Sequence, residues 1–398
     1  MQALKRQLPL VFSCLGHAYM HMFAAFYFVI VLALEKDWSL PYHELLELWT
    51  LGALLIGLGA LPAGWIADRW SSSGMMSVFF IGMGLAAIAC GLVDSATAML
   101  IGLAAIGLFA AVYHPVGIAW LVRNAESRGK ALGINGVFGS IGIASAGLVA
   151  GTLIELFSWR AAFMVPGAIC LATGIALVAC RALGLVDDGV ARLRKEAPAS
   201  RGDMVRVYLI LVLTMAVMGV IFQSTQAALP KVFDIRLASL VGGSAFGVGA
   251  VVAGVYTVGG IMQIAGGHLA DRFPLKPIYL SAFLFQIPIL LIIAVASGVP
   301  LVVAAALTVL LSTGALPAEN MLLARYTPDR HQSLAFGAKF VLAFGTAPLA
   351  IQLVSWVKEA SGEFTWLFAG LAAGAVVAVL AAAILPGAWR RQAETPAE

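Results

Sequence analysis

Six residues, Gly64-Trp65-Ile66-Ala67-Asp68-Arg69, recur as Gly267-His268-Leu269-Ala270-Asp271-Arg272, 203 positions further along a chain of 398. Each copy closes a long apolar stretch. The correspondence runs further: Gly57 matches Gly260 at the same shift, Pro115, Arg123 and Arg128 match Pro317, Arg325 and Arg330 at a shift of 202, and Gly133 matches Gly337 at 204. The chain is therefore two related halves. A rigid Asp-Arg pair in a short loop is suited to holding the ends of two long helices together.

The solvent for most of this chain is lipid. Mean hydropathy is +0.97. Only 11% of residues are charged, against roughly a quarter in soluble domains. Apolar runs cover residues 8–34, 42–67, 75–93, 97–122, 130–157, 160–182, 204–230, 244–270, 276–296, 300–324, 333–357 and 363–386, and most approach the ~20 residues a helix needs to cross a bilayer. They are apolar all round, whereas a membrane barrel alternates apolar and polar residues over ~10-residue segments. The expectation is an all-α membrane protein with twelve transmembrane helices in two pseudo-symmetric six-helix bundles, residues 1–185 and 204–398, joined by a polar linker over 186–203. Six helices separate the copies, an even number, so both halves share one orientation and are related by an axis along the membrane normal.

Assigning alternate loops to opposite sides puts 19 of the 24 lysines and arginines on the side of the N-terminus. Lys36, Arg160, Lys231, Arg236 and Lys358 fall on the other. Positive residues stay cytoplasmic, so both termini are expected in the cytoplasm, with the chain multi-pass in an inner or plasma membrane. The net charge of +4 reports this topology; no basic patch with interleaved aromatics points to nucleic acid. Lys5 and Arg6 before an apolar run imitate a signal peptide, but the run continues to Leu34 without a small-x-small cleavage site and reads as an uncleaved first helix. Cys14, Cys90, Cys170 and Cys180 each stand alone in an apolar segment and offer no disulfide framework or metal-spaced pair. No phosphate-binding Gly-x-x-x-x-Gly-Lys-Ser/Thr sequence is present, which excludes the usual ATPase loop. No cofactor is expected, and the protein reads as a monomer whose partners are the bilayer, protons and a small solute.

Two parallel six-helix halves with Gly-x-x-Ala-Asp-Arg after helices 2 and 8 resemble the major facilitator superfamily over essentially the whole chain. Ser127-Arg128-Gly129-Lys130-Ala131-Leu132-Gly133 after helix 4 and Trp159-Arg160-Ala161-Ala162-Phe163 entering helix 6 add to the resemblance. It implies a carrier in which helices 1, 4, 7 and 10 line a central cavity and the halves rock about it. The same resemblance implies gating by Asp68, Arg69, Asp271, Arg272, Arg128 and Arg330. Tyr113-His114-Pro115 on helix 4 and Gly16-His17 on helix 1 are similar to the fosmidomycin-resistance type of drug exporter. Three departures leave export and uptake both open. Ser71-Ser72-Ser73-Gly74 follows the first motif in place of glycine and basic residues, helix 4 has no arginine before Arg123, and the glycines of helix 5 lack an accompanying proline.

Ionisable side chains in hydrocarbon cost roughly 2.5–3.5 kcal/mol or more at mid-helix, so they face a cavity or a partner. Those left inside the runs are His17 and His21 on helix 1, His114 on helix 4, Glu319 on helix 10 and Lys339 on helix 11; Gln223 and Gln226 add uncharged polarity on helix 7. His17, His21, Tyr113, His114, Gln223, Gln226, Glu319 and Asn320 form the expected solute site. Ser13, His17 and His21 share one helical face. For the histidines three roles stand open: hydrogen bonding between helices, solute or proton contact, and a metal site, which i, i+4 histidines can form. No metal is assigned. Glu319 and His114 are the candidates for proton coupling, with a static pair between Glu319 and Lys339 or Arg325 as the alternative for Glu319. Lys339, near the start of helix 11, is expected to snorkel to the surface. Pro115 and Pro317 are expected to set equivalent bends, and the glycines of helix 5 to permit close packing.

The reading adopted is a secondary active carrier, not an enzyme, exporting a drug or metabolite by alternating access with proton coupling. Its alternative is proton-coupled uptake of a small organic anion. An intramembrane metal-dependent enzyme using His17, His21 and His114 is the rival of another class. Reporter fusions within 187–203 and at the C-terminus should both report the cytoplasm. A periplasmic signal at either place contradicts the twelve-helix topology.

Overall fold

The computed structural model describes residues 2–125, 128–188, 201–326 and 332–385. It contains twelve helices long and apolar enough to cross a membrane: α1 (Gln7–Trp38), α2 (Tyr42–Arg69), α3 (Ser72–Cys90), α4 (Ala96–Asn124), α5 (Ala131–Leu156), α6 (Trp159–Ala182), α7 (Met204–Arg236), α8 (Ala245–Ala270), α9 (Leu275–Val295), α10 (Gly298–Leu323), α11 (Ala338–Ser361) and α12 (Thr365–Ala383). Leu58, Leu61, Ile101, Val295 and Trp366 are among the large apolar side chains left more than half exposed, the arrangement expected where lipid replaces water around the bundle.

Helix starts follow from local chemistry. Ser71, Ser95, Ser158 and Ser244 cap α3, α4, α6 and α8, each side-chain oxygen accepting from a backbone N–H three residues on. A serine cap typically contributes about 1 kcal/mol. Gly242 and Gly243 both adopt positive φ in the turn entering α8, where a Cβ would be strained. Much of the linker, residues 189–200, lies outside the described residues.

The packing repeats as the sequence does. In the first half α1 lies against α5, α2 against α4 and α3 against α6; in the second, α7 lies against α11, α8 against α10 and α9 against α12. Glycine sets the closest approaches: a Cβ on Gly107 would sit 2.0 Å from the Gly52 carbonyl oxygen, and one on Gly266 would sit 2.4 Å from that of Gly314. Backbones that approach this closely gain dispersion contacts, a leading source of association where lipid removes the hydrophobic drive.

Between the halves, α5 meets α8 and α2 meets α11. These contacts concentrate toward the face opposite the start of α1, here the far face. Lys231 Nζ on α7 lies 2.5 Å from Glu35 Oε2 on α1. The Tyr42 hydroxyl donates to the Ala227 carbonyl at 3.1 Å, Gln352 donates to Thr50 Oγ1 at 3.0 Å and Ser355 donates to Glu47 Oε1 at 2.7 Å. Toward the other face, positions on α5 at Gly133 and Gly136 and on α8 at Gly267 would meet nothing within 4 Å if given a Cβ. The halves are thus closed on the far face and stand apart along this seam near the other.

That closure depends on glycine. A Cβ at Gly249 of α8 would lie 2.1 Å from the carbonyl oxygen of Gly147 on α5, backbone that cannot give way locally. In a background with Cys180 replaced by serine, Gly249→Val should raise several-fold the labelling of Ser355→Cys by a membrane-impermeant thiol reagent added to the far face. Gly107→Ala, which clashes within one half, should instead lower the yield of folded protein. Unchanged labelling in folded Gly249→Val would contradict this account of the seam.

Candidate functional site

The site lies at mid-depth, where α1, α4 and α5 of the first half face α7 and α11 of the second. On α1, His17 and His21 are one helical turn apart, with ring centroids 4.9 Å from each other. Helix α4 brings a third ring: His114 stands 5.4 Å from each of them, centroid to centroid. Its placement depends on a local change of helix. Pro115 has no N–H to donate to the turn before it, and Tyr113–Gly117 winds as a π-helix, which turns His114 toward α1. Such single-turn π segments are frequent at functional sites. Pro317, the counterpart in the second half, lies in an α-helix that runs uninterrupted over Gly298–Tyr326, so the two prolines do not act alike.

A buried network holds this cluster. The Asn135 carbonyl on α5 lies 2.7 Å from His17 Nδ1, so that nitrogen carries a proton and Nε2 keeps its lone pair. The Asn135 amide donates to the Tyr113 hydroxyl at 2.8 Å, and that hydroxyl donates to the Ser13 carbonyl at 2.9 Å. Ser13 in turn donates to the Gly117 carbonyl at 3.2 Å. Tyr113 is fully buried with its hydroxyl committed to helix partners. It positions the histidines from behind, where the sequence suggested a solute contact. From the other half, the Phe340 ring of α11 stacks on His114 at 4.9 Å.

His21 also forms part of the wall of a cavity of about 40 Å³ between the halves, with Trp49 and Phe28 on one side and Gln223, Gln226 and Phe222 on the other. A water needs about 10–15 Å³ of such space. This conformation therefore holds a few waters' worth of room, and an organic solute requires the halves to part further. A smaller cavity is bordered by Gln226, which also borders the first, and by Tyr256, whose buried hydroxyl has no hydrogen-bond partner among the described residues.

Glu319 and Asn320 stand apart from this group, and neither borders the cavity. Glu319, 3% exposed, has Lys339 Nζ 2.6 Å from Oε1 and accepts from the Tyr279 hydroxyl at Oε2 over 2.9 Å. Thr214 Oγ1 lies 2.8 Å from that hydroxyl. Lys339 also donates to Asn320 Oδ1 at 2.5 Å. The expectation that Lys339 snorkels to the surface is corrected here: it is 6% exposed, because a buried carboxylate one helix away offers it a charged partner. Of the two partners expected for Glu319, Lys339 and Arg325, it is Lys339 that stands against its carboxylate.

The Asp-Arg motif builds a second constellation, and its expected place in a short loop is corrected here. Asp68 and Arg69 belong to the last turn of α2, and Asp271 and Arg272 likewise end a helix that runs from Ala245 to Arg272, because no residue after Gly64 or Gly267 breaks the helical hydrogen bonding before Arg69 or Arg272. Arg123 at the end of α4 binds Asp68 Oδ1 at 3.0 Å and Ser72 Oγ at 3.0 Å, while the Arg69 guanidinium lies 4.0 Å over the Trp65 ring. The serines that replace the usual basic stretch have their own role. Asp188 accepts from the Ser73 N–H at 2.7 Å and the Ser71 hydroxyl at 3.1 Å, and Arg181 donates to Ser71 at 3.2 Å. Burial opposes ionisation of Asp188, but these hydrogen bonds and the Arg181 charge together hold its carboxyl below the usual carboxylate range. With Trp120 donating to the Asp187 carbonyl, the first residues of the expected linker dock on the first half. Arg272 is exposed. The side chains of Asp271 and Arg128, and all of Arg330, lie outside the described residues.

Sequence reasoning missed Asn135, Phe340 and Tyr279. Asn135 carries a signal in retrospect, a carboxamide in the glycine-rich stretch Gly133-Ile134-Asn135-Gly136. Phe340 and Tyr279 carry none, since one aromatic among apolar neighbours looks like any other.

A twelve-helix bundle of two like halves around a polar centre defines a membrane carrier. The chain belongs to the Major Facilitator Superfamily, whose family model matches residues 12–259. Its similarity to curated proteins is partial. It is 30% identical over 140 residues to the puromycin resistance protein pur8 of Streptomyces alboniger, covering 34% of this chain and 27% of that protein. It is 28% identical over 140 residues to the niacin transporter NiaP of Acinetobacter baylyi, covering 35% and 32%. The chain thus matches between 27% and 32% of the length of these relatives. Among solved structures, a bacterial homolog of the human lysosomal transporter Spinster superimposes in its inward-facing occupied form with a TM-score of 0.73, at 16% identity over 94% of each chain. Its inward-facing unoccupied form gives 0.71, at 17% identity over 96% and 95%.

Proposed function

We propose that this protein is a secondary active carrier that exports a small organic solute by alternating access, driven by the proton gradient. The observation that carries the proposal is the cavity between the halves, to which one half contributes His21 and the other Gln223 and Gln226. A solute held there touches both halves, so rocking them changes which face it meets. His17, His21, His114, Gln223 and Gln226 are the proposed solute contacts, with Asp68, Arg69, Asp271, Arg272, Arg128 and Arg330 stabilising the alternating conformers from the side of the termini, proposed as cytoplasmic. The partial similarity to a puromycin resistance protein supports export.

Proton coupling is assigned to Glu319. Its pair with Lys339 joins α10 to α11, and α11 also carries Phe340 onto His114. Protonating Glu319 removes the charge that Lys339 is paired with and frees α11 to move relative to α10. A second reading, uptake of a small organic anion, is favoured by the same pair, because a lysine released from its carboxylate inside the bundle offers a positive charge to an anionic solute. The partial similarity to a niacin transporter fits it. The enzyme alternative has no support in a family of carriers.

A thermal-shift screen including puromycin, nicotinate, phosphonates and simple organic acids identifies the solute, since a ligand specific for the folded state raises its stability. That solute is then followed in proteoliposomes with and without an imposed pH difference. Wild type should accumulate it against its gradient only when the pH difference is present. Glu319→Gln should still exchange it but lose gradient-driven accumulation. Removing one member of a buried pair destabilises by roughly 3–5 kcal/mol, so the double variant Glu319→Gln/Lys339→Met serves as the folded control and should also exchange without accumulating. Full accumulation in both variants would overturn the assignment to Glu319, and accumulation by wild type without a pH difference would overturn proton coupling.

A further inference from the structure

Three of the six histidines in this chain converge on one point, which solute binding by itself does not require. One ring nitrogen from each of His17, His21 and His114 lies within 4.8 Å of the other two. Helical spacing brings the first pair onto one face of α1, and the π-helical turn at Tyr113–Gly117 aims the third at them from α4. The protonation state of His17 is set from behind: Nδ1 is hydrogen-bonded to the Asn135 carbonyl at 2.7 Å, which leaves the Nε2 lone pair to bind. An imidazole that ligates a metal nearly always donates its other N–H to such an acceptor. Asn135 is itself held by Tyr113, so the second layer of the arrangement is built as well as the first.

We infer that His17, His21 and His114 bind a divalent transition-metal ion within the first half of the carrier, beside the cavity that His21 borders, through three imidazole nitrogens. Three neutral imidazoles offer lone pairs without charge, a donor set suited to Zn2+, Co2+ or Ni2+ and poorly suited to Mg2+ or Ca2+, which take oxygen. Bonds of ~2.0–2.1 Å require the three nitrogens to approach to about 3.4 Å, so binding must draw His21 and His114 toward His17, whose ring is held by Asn135 and Tyr113. A three-nitrogen set leaves further coordination positions open, as catalytic and transport sites need and closed structural sites do not. His21 also borders the cavity with Gln223 and Gln226, so one of the three ligands is shared with the wall of the space where a solute would lie. The ion enters either as the hydrated cation or already chelated by the solute, and both deliver the same chemistry to the three nitrogens. Drawing His114 toward α1 shifts it relative to Phe340 of α11, so loading the site acts on a contact between the halves. The site stands independently of transport direction and proton coupling; it rests on the carrier reading only for the ion's route.

Co2+ is the probe, because its visible absorption reports coordination number directly. The full chain, purified in detergent with an affinity tag free of histidine, is titrated with Co2+ alone and, in a second arm, with the one-to-one complex of Co2+ and iminodiacetate. The expected result is a saturable band of low-coordinate cobalt reaching one ion per chain, abolished by Zn2+ competition. His21→Gln and His114→Gln should each weaken binding at least about tenfold, the lower bound seen when only a supporting partner of a ligand is lost. His268→Gln, exposed on α8, should bind as wild type. Saturation by the aquo ion alone identifies free metal as the ligand, and preference for the complex identifies a chelate. A wild type without a saturable band, or folded His21→Gln and His114→Gln with undiminished affinity, overturns the metal site. Either result leaves the carrier reading intact if the pH-driven transport described above persists.

Discussion

Lipid on the outside gives two helical bundles no hydrophobic reason to stay together, and this constraint shapes the whole molecule. Association must come from close backbone packing and a few polar contacts. The junction of the halves uses both: Gly147 and Gly151 on α5 against Gly249 and Ala245 on α8, and, between other helices, the Lys231–Glu35 pair and the Ser355–Glu47 hydrogen bond. Each contact is modest in strength and can be remade. Within a half, the Gly107 and Gly52 backbones and those of Gly84 and Gly167 approach just as closely. A carrier needs firm halves and a reversible junction between them.

The two halves place different chemistry on a common frame. The first holds neutral polar groups at its centre, three histidines positioned by Asn135, Tyr113 and Ser13. The second holds a buried ion pair, Glu319 with Lys339, braced by Tyr279 and Thr214. Gly117 of the first half corresponds to Glu319 of the second at the shift of 202 that relates Pro115 to Pro317. In one half that position admits a close turn around Tyr113; in the other it carries a charge. Phe340 follows Lys339 directly in α11 and reaches His114, so the two centres are linked through a single helix. On the proposed function, both halves would contact the solute, and the coupling charge would sit in the second half alone.

Much of the fold was legible because lipid imposes a simple rule: a span of about 20 apolar residues becomes a helix. All twelve runs became helices, and the repeat of the Asp-Arg motif matched the repeat in packing. The histidine cluster was partly legible too, since i, i+4 spacing on α1 needs no tertiary information. What could not be read was anything depending on a turn of helix or a neighbour far along the chain. The π turn at Pro115 and the α-helix at Pro317 begin from the same residue, and only the surrounding packing separates them. Lys339 looked like a residue that reaches the surface because its partner is 20 positions away on another helix. In the sequence the serines after Trp70 are only a departure from the family's glycine and basic residues, yet they cap α3 and hold Asp188, a role that depends on where the chain returns after α6.

The central claim is that the halves move as rigid bodies about one seam, closing one face as they open the other. Pulsed electron–electron resonance tests it directly with two pairs of spin labels, one pair on each face. Leu92→Cys with Leu240→Cys reports the far face, and Trp70→Cys with Phe273→Cys the face of the termini; all four positions are more than half exposed. In lipid, across conditions that change the conformer populations, the account predicts that the far-face distance lengthens as the other shortens, with both distributions trading between the same two populations. Two fixed distances, or two that lengthen and shorten together, would contradict it.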